Sequence, residues 1–270
     1  MKRIIKNILH KISVALRMIK IYKNWPRLVA YRLNLMPAAM VVEVRDHSRF
    51  KVRDRRLELS DAYVINESYL YGIHDLILPY LRTAKVGIDV GAHIGSFTIF
   101  AAKRSPARIF AIEAAPNNFR VLEENIALNN LEDRITPLPL AVAGRSGLID
   151  LFLPQNSGLT TTIKNHLTLY SADDGPIEKI VVPALTLAEI FRQNAIDFCD
   201  FLKMDVEGGE YDILYHTPRA IFNKIKVMTI ECHKDGDINA LMQFLRNHGF
   251  EVERPTMEFA EVFCRNRSFA

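Results

Sequence analysis

The spacing of hydrophobic and polar positions switches between two patterns along most of the chain. Short apolar runs, typical of buried strands, are followed by stretches with helical spacing. The apolar run over residues 86–90 leads into a helical pattern at 95–104, and the run over 108–113 leads into one at 117–129. Strands that alternate with helices in this way predict an α/β fold, with a doubly wound, mostly parallel sheet and helices on both of its faces.

Three features interrupt this alternation. Residues 40–54 have the pattern of a hairpin with a polar turn, and residues 148–154 and 180–185 predict an antiparallel pair of strands. The strands predicted at 250–254 and 259–264 have no helix between them, so we expect an antiparallel strand at one end of the sheet. The other predicted elements are the strands 134–140, 200–205 and 226–231 and the helices 186–194, 208–216 and 238–248. Thr186 and Glu189 have the spacing of a capping box at the start of the first of these helices.

The N-terminal arm, residues 1–38, begins with a basic amphipathic pattern. Its apolar and basic positions fall on opposite sides of a helix, with Ile4, Ile5, Ile8, Ile12, Leu16 and Ile19 on one side and Lys2, Arg3, Lys6, Arg17 and Lys20 on the other. One interpretation is peripheral membrane contact through residues 1–22, on an anionic bilayer. The other is a helix packed on its own domain or on a second subunit of a homo-oligomer.

Charge and composition narrow the function classes. Residues 1–42 contain nine Lys or Arg and no acid, so the rest of the chain carries a net charge of −5. A mildly acidic body argues against tight nucleic-acid binding. Three widely spaced cysteines suggest neither a disulfide framework nor a zinc site. We therefore expect a cytoplasmic protein, with the arm offering contact at the inner membrane surface.

The first strand of the alternation ends in a glycine turn. Asp89, Gly91 and Gly95 follow one another at the carboxyl end of the strand, and the next strand ends in Glu113. Ligands of such sheets bind beyond the carboxyl ends of the strands, and an acid at the end of the second strand suits the two ribose hydroxyls of a nucleoside. This arrangement predicts a cofactor that contains adenosine.

The glycine spacing discriminates between two such cofactors. A dinucleotide fingerprint reads GxGxxG, whereas this turn reads GxxxG and carries Asp89 close by. A carboxylate there repels phosphates and favours the ammonium and sulfonium groups of S-adenosylmethionine. An NAD-type oxidoreductase is the alternative. A purely structural use of the two glycines, in helix–strand packing, also remains open.

A second group of ionisable residues follows the strand predicted at 200–205. Lys203, Asp205, Glu207 and Glu210 gather at its carboxyl end, and the neighbouring strand ends in Glu231, Cys232 and His233. So many charged groups are costly at one strand end unless they are solvated, paired or used in chemistry. A solvated helix N-terminus explains Glu210 but not Lys203, which lies within the strand.

The chain resembles the FkbM family of S-adenosylmethionine-dependent methyltransferases. The resemblance covers residues 60–254 and lies in DVGAHIGSFT, AIEAAPNNFRVLEENIALNN, LAVAGRSG, SGLTTTI, LTLAEIF, DFLKMDVEGGEYDIL and TIECHKD. It implies a class I methyltransferase fold in residues 83–270, with a Rossmann-like seven-stranded sheet that residues 39–82 lead into. The implied cofactor-binding residues are Asp89, Gly91, Ala92, His93, Gly95, Glu113 and Ala141. His93 stands where the family usually has Asn.

The resemblance also implies an O-methyltransferase that acts on a sugar, a glycan or another small-molecule hydroxyl. Asp205 and Glu207 are the best candidates for a general base and His233 is the next, while Lys203 could hold an acceptor oxygen or fix a carboxylate. Asp205, Glu231 and His233 are weak candidates for metal ligands, and we expect no divalent metal to be required. A non-catalytic, membrane-bound module of the same fold is a further alternative.

Overall fold

The structure, a computed structural model, describes residues 13–36, 38–154, 160–163, 177–254 and 261–269. The amphipathic helix predicted over residues 1–22 of the arm therefore lies partly outside the described residues. Residues 13–21 are helical (α1). Most of the polar stretch at 155–178, which has little periodicity, also lies outside the described residues.

The described secondary structure follows the predicted alternation closely. The other helices are α2 (Trp25–Arg32), α3 (Asp61–Asn66), α4 (Leu78–Leu81), α5 (Ser96–Arg104), α6 (Pro116–Leu128), α7 (Leu187–Gln193), α8 (Glu210–Tyr215), α9 (Arg219–Phe222) and α10 (Ile238–Asn247). The strands are β1 (Met40–Glu43), β2 (Arg49–Val52), β3 (Val86–Val90), β4 (Arg108–Ile112), β5 (Ile135–Leu138), β6 (Ala141–Val142), β7 (Gly147–Leu153), β8 (Glu178–Leu185), β9 (Cys199–Met204), β10 (Ile225–Glu231), β11 (Phe250–Glu253) and β12 (Glu261–Asn266).

Seven strands form the central sheet, in the order β11-β12-β10-β9-β3-β4-β5. β3, β4, β5, β9 and β10 pair in parallel, whereas β12 is antiparallel to both of its neighbours. The antiparallel strand predicted at this end is thus β12, second from the edge. β3 lies between β4 and β9, where the strand order reverses, and the carboxyl ends at such a point form a binding crevice.

Two predicted interruptions are confirmed outside this sheet. β1 and β2 form the expected hairpin, and β7 pairs antiparallel with β8. The short strand β6 extends the second pair into a three-stranded sheet, which the sequence pattern did not indicate because two residues are too few to show a period. Helix α7 begins with the capping box expected from the spacing of Thr186 and Glu189.

Hydrophobic cores lie on both faces of the central sheet. On one face, Tyr22 of the arm and Phe50 of the hairpin belong to the same buried cluster as Phe97 of α5. On the other face, Phe191 and Phe222 pack among residues of β9 and β10. Strands covered on both faces explain why the sequence shows continuous apolar runs there rather than alternation.

The helix that follows the hairpin changes its geometry partway. α3 continues directly into a π-helical turn, Glu67–Tyr71, which ends at Gly72 in the left-handed region. π-Helical turns are rare and are frequent at functional sites, because the extra residue rotates the following side chains. Glu67, the first residue of this turn, lines the cavity described next, on the same side of the helix as Ser60 and Tyr63.

Candidate active site

A cavity of about 460 Å³ opens at the carboxyl ends of β3, β4, β9 and β10. Among the residues predicted to bind the cofactor, its walls include Gly91, His93, Glu113 and Ala141. They also include Asp205 and Glu207, which were predicted to act on the acceptor, and Glu231, which was predicted as a candidate metal ligand. The structure therefore brings the two predicted clusters together in one space.

Gly91 is required by a close approach of two strand ends. Its φ is +78°, and a Cβ atom there would lie 1.7 Å from the carbonyl oxygen of Asp205. Its N–H and that of Ala92 both donate to the carbonyl of Ile112, at 3.0 and 2.9 Å. These two hydrogen bonds fix the glycine turn to the end of β4, beside the cavity.

Gly95 has a different use. It precedes α5 with a φ of +85°, and an added Cβ would lie 2.7 Å from Leu122 of α6. Gly95, Ala92 and Asp89 are absent from the cavity walls. A role of Asp89 and Gly95 in cofactor binding stays a prediction; Gly95 packs against Leu122 of α6, whereas Gly91 lines the cavity.

Glu113 is held by the backbone of two turns. Its two carboxylate oxygens accept hydrogen bonds from the N–H groups of His93 and Ala115, each at 2.8 Å. The side chain is buried, with 7% of its surface exposed. A carboxylate has about four acceptor positions, so both oxygens can still accept a hydroxyl from the cavity side.

Asn118 is a site residue that the sequence did not single out. It lies in the first turns of α6, is 1% exposed, and lines the cavity. Its Oδ1 atom accepts no hydrogen bond from the described part of the chain. A buried amide oxygen without a donor is costly, so a ligand donor is the natural partner. The available signal was a polar residue on the buried side of a helix that follows Glu113.

Asp89 and Lys203 are neighbours across β3 and β9. Asp89 is fully buried and accepts a hydrogen bond from the Thr98 hydroxyl. The Nζ atom of Lys203 lies 3.7 Å from Asp89 Oδ1 and 3.3 Å from Asp205 Oδ2, and it donates to the Gly91 carbonyl at 3.1 Å. Lys203 therefore ties the glycine turn to the second cluster from behind the cavity wall.

These contacts set the charge states around Lys203. Burial raises the pKa of Asp89, and the nearby ammonium only partly offsets this. Burial alone would lower the pKa of Lys203, but the carboxylates of Asp205 and Asp89 raise it above its usual value. Burial likewise acts to raise the pKa of Asp205, but the charges of Lys203 and His233 together outweigh it and the pKa is lowered. The ammonium and the Asp205 carboxylate thus form a stable ion pair.

His233 bridges two carboxylates and is also absent from the cavity wall. Its Nδ1 atom lies 2.9 Å from Glu210 Oε1, and its Nε2 atom lies 3.1 Å from Glu207 Oε2. Burial acts to lower the pKa of His233, but the bonds to Glu207 and Glu210 raise it. The imidazole is therefore charged at neutral pH and has no free lone pair for a hydroxyl proton.

Glu210 anchors this bridge at the start of α8. It is fully buried and also accepts hydrogen bonds from the backbone N–H groups of Val206 and Gly208, both at 3.1 Å. Glu207, between them, has a φ of +53°, a conformation uncommon for a residue with a side chain. Its carboxylate contacts the imidazole of His233, and the residue lines the cavity.

Four carboxyl groups line one end of the cavity, and one of them escaped the sequence analysis. They belong to Glu67, Asp205, Glu207 and Glu231. Burial and then Asp205 raise the pKa of Glu67 to about 8. Asp205 and then burial raise the pKa of Glu231. Glu67 belongs to no motif, and nothing in the local sequence shows that its side of the helix, shared with Ser60 and Tyr63, faces the cavity.

The three candidate metal ligands do lie together. Oxygen or nitrogen atoms of Asp205, Glu231 and His233 all fall within 4.8 Å of one another. However, Asp205 already faces the ammonium of Lys203, and both ring nitrogens of His233 already face carboxylates. Two fixed cations therefore compensate much of the negative charge that would otherwise attract a metal ion.

No helix in the described ranges is long and apolar enough to cross a membrane.

Comparison with known proteins identifies the family. The model of the methyltransferase FkbM domain matches residues 89–252. Methyltransferase sdnD of Sordaria araneosa is 27% identical over 197 residues, which cover 64% of this chain and 76% of that protein. The 31-O-demethyl-FK506 methyltransferase FkbM of Streptomyces tacrolimicus is 28% identical over 198 residues, 64% of this chain and 75% of that protein. Among solved structures, the METTL16 MTase domain aligns with a TM-score of 0.46 and 14% identity, over 77% of this chain and 67% of that one. The chain belongs to the FkbM family of methyltransferases, as its sequence motifs predicted.

Proposed function

We propose that this methyltransferase uses S-adenosylmethionine to methylate a hydroxyl group on a sugar, a glycan or another small molecule. The observation that carries the proposal is a single cavity with two chemically different ends. One end has the glycine turn, Glu113 and Asn118, and the other has the four carboxyl groups. A donor and an acceptor could thus meet in one enclosed space, which is the main requirement for methyl transfer.

The residues at the first end fit S-adenosylmethionine. Glu113 has acceptor positions for the two ribose hydroxyls, and the unpartnered Oδ1 of Asn118 can accept from a hydroxyl or amino group. Ala141 and Leu140 add apolar wall that suits an adenine ring. When bound, the cofactor would supply an electrophilic methyl group. Membership of a methyltransferase family argues against the alternative of an NAD-type oxidoreductase.

The residues at the second end suit an acceptor hydroxyl. Asp205 and Glu207 both line the cavity, so either carboxylate can accept a hydrogen bond from the hydroxyl, and we expect at least one to take its proton. Lys203 fixes Asp205 and His233 fixes Glu207. We therefore assign Lys203 and His233 positioning roles rather than the role of base.

Two further points support this choice of reaction. The FkbM relative is a 31-O-demethyl-FK506 methyltransferase, and an O-demethyl substrate agrees with a hydroxyl acceptor. The two cations beside Asp205 and Glu207 agree with a reaction that requires no divalent metal.

The direct test is transfer of an isotope-labelled methyl group from S-adenosylmethionine to components of a total cell extract, followed by identification of the labelled product. The Asp205→Asn and Glu207→Gln variants nearly preserve shape. Loss of a general base should lower turnover about 10²–10⁴-fold with little change in cofactor affinity. A helix-capping role would leave turnover almost unchanged. Absence of any labelled product would instead support the non-catalytic alternative.

A further inference from the structure

The described part of the arm uses only one side of its helix to contact the protein. Met18 and Tyr22 are buried, with 8% and 0% of their surfaces exposed. Leu16 and Ile19, which belong to the apolar side in the sequence pattern, are 54% and 37% exposed. The predicted apolar stripe is therefore not covered by the domain where the structure describes it.

A basic crevice lies beside this stripe. It has a volume of about 320 Å³, and its cationic walls come from Lys23, Arg49 and Lys103, with His47 beside them. Within the described lining the acidic side chain is Glu43, whose Oε2 lies 3.6 Å from the ammonium of Lys23. The crevice thus has an excess of positive charge and suits a phosphate group.

Hydrogen bonds connect the crevice to the exposed stripe. The guanidinium of Arg45 donates to the carbonyl of Ile19 at 3.2 Å, and the N–H of Lys23 donates to the carbonyl of Glu43 at 2.7 Å. The helix end and the hairpin turn therefore form one continuous surface. We call it the basic face, and it consists of Leu16, Ile19, Lys20, Lys23, Arg45, His47, Arg49 and Lys103.

We propose that the basic face binds the surface of an anionic lipid bilayer. Exposed apolar side chains beside a group of cations are the combination that interfacial helices use, with the apolar groups at the headgroup boundary and the cations on lipid phosphates. Lys20, Lys23 and Lys103 provide such cations, and Leu16 and Ile19 provide the apolar contacts. The proposal concerns a surface outside the cavity and does not depend on the methylation reaction.

Charge favours a bilayer over a second copy of the chain. In a symmetric dimer, the same patch of each subunit meets the other, so the cations of one basic face would oppose those of its partner. Like charges placed opposite one another cost several kcal/mol. An anionic bilayer supplies the complementary charge.

Docking through this face would leave the cavity accessible. Lys103 lies in the last turn of α5, whereas the first residue of that helix follows Gly95 of the glycine turn. A helix of nine residues spans about 14 Å, and the crevice and the cavity lie at its two ends. An acceptor could thus reach the cavity while the protein is bound to the bilayer.

The test is co-sedimentation of the full chain with phosphatidylcholine vesicles that contain about one third phosphatidylglycerol, at low salt where such contacts are strongest. We expect the unmodified protein to pellet with these vesicles and not with pure phosphatidylcholine. A chain with both Lys20→Glu and Lys103→Glu should bind at least about tenfold more weakly, because two attractive contacts become repulsive. Leu16→Ser with Ile19→Ser should also weaken binding.

Matched changes on other surfaces separate this proposal from general charge effects. Arg192→Glu reverses an exposed cation on α7, and Leu148→Ser removes an exposed apolar side chain from β7. Both should bind vesicles like the unmodified protein. The proposal is overturned if the full chain does not pellet with anionic vesicles, or if the basic-face variants bind as well as these controls. It is also overturned if the basic face binds a second copy of the chain instead of the vesicles.

Discussion

The two ends of the cavity are built by different means. At the cofactor end, the backbone makes the important contacts: Gly91 allows two strand ends to meet, and Glu113 is held by two backbone N–H groups. At the acceptor end, side chains hold one another, with Lys203 on Asp205 and His233 on Glu207. The first end depends on local chain geometry, and the second depends on a balance of buried charges.

Lys203 belongs to both ends and is the most informative residue for separating them. Its ammonium contacts the carbonyl of Gly91 in the glycine turn and the carboxylate of Asp205 in the charged cluster. It also compensates Asp89, which is fully buried. If the two ends are coupled, they are coupled through this side chain.

The largest expected effect is therefore the loss of stability caused by Lys203→Met. The change leaves the buried carboxylate of Asp89 without its cation, and breaking a buried pair typically costs about 3–5 kcal/mol of the free energy of unfolding. Adding Asp89→Asn should recover much of that loss, because the uncompensated charge disappears. Denaturant unfolding of the single and double variants measures both values. Equal stability of the two variants would contradict the assigned ion pair.

The next largest effect is the loss of stability caused by Gly91→Ala, which tests the end of the cavity that depends on backbone contacts. A side chain there meets the carbonyl of Asp205 and must adopt a positive φ, so we expect a loss of roughly 2–5 kcal/mol in the free energy of unfolding. Gly249→Ala is the matched control, since Gly249 has a φ of +96° and open space around its Cβ position. It should lose only about 1–2 kcal/mol. Similar losses at the two glycines would mean that the close approach does not matter.

A smaller effect is the pH dependence of stability that Glu67 causes. Its pKa is raised to about 8, so between the ordinary glutamate pKa and pH 8 the folded protein holds a proton that the unfolded chain has lost. Stability must then fall as the pH rises through this window and level off above it. The groups that act on Glu67 are Tyr63, Lys203, Asp205 and Glu207.

The Glu67→Gln variant should flatten part of this slope, by roughly 1–3 kcal/mol across the window, because partial exposure moderates the shift. Thermal unfolding at several pH values measures the slope. Glu132→Gln, at an exposed position, serves as the control and should leave the slope unchanged. A Glu67→Gln profile parallel to that of the unmodified protein would contradict the assigned shift.

The same contrast explains what the sequence could predict. The strands, the capping box at Thr186 and the glycine turn are local, so periodicity and spacing located them within a few residues. That Asp205, Glu231 and His233 lie together also follows from neighbouring parallel strands. The spacing could not show that Asp89 lies behind the wall, because this depends on where Lys203 and Thr98 pack.

Two residues were missed for related reasons. Glu67 lies on the same face of its helix as Ser60 and Tyr63, and only the packing of that helix on the domain places this face at the cavity. Asn118 is buried on α6, where burial depends on packing against the sheet rather than on any motif. Side chains that act through tertiary packing are thus the ones that a single sequence conceals.

The central claim is that S-adenosylmethionine binds at the glycine-turn end, with Glu113 on its ribose, and calorimetry tests it most directly. The unmodified protein should bind S-adenosylmethionine in preference to NAD. Glu113→Ala should weaken binding about 10–10²-fold, since hydrogen bonds to a charged group contribute about 1.5–3 kcal/mol. Glu132→Ala, at an exposed position, should bind like the unmodified protein. Unchanged affinity in Glu113→Ala, or tighter binding of NAD, would contradict the account.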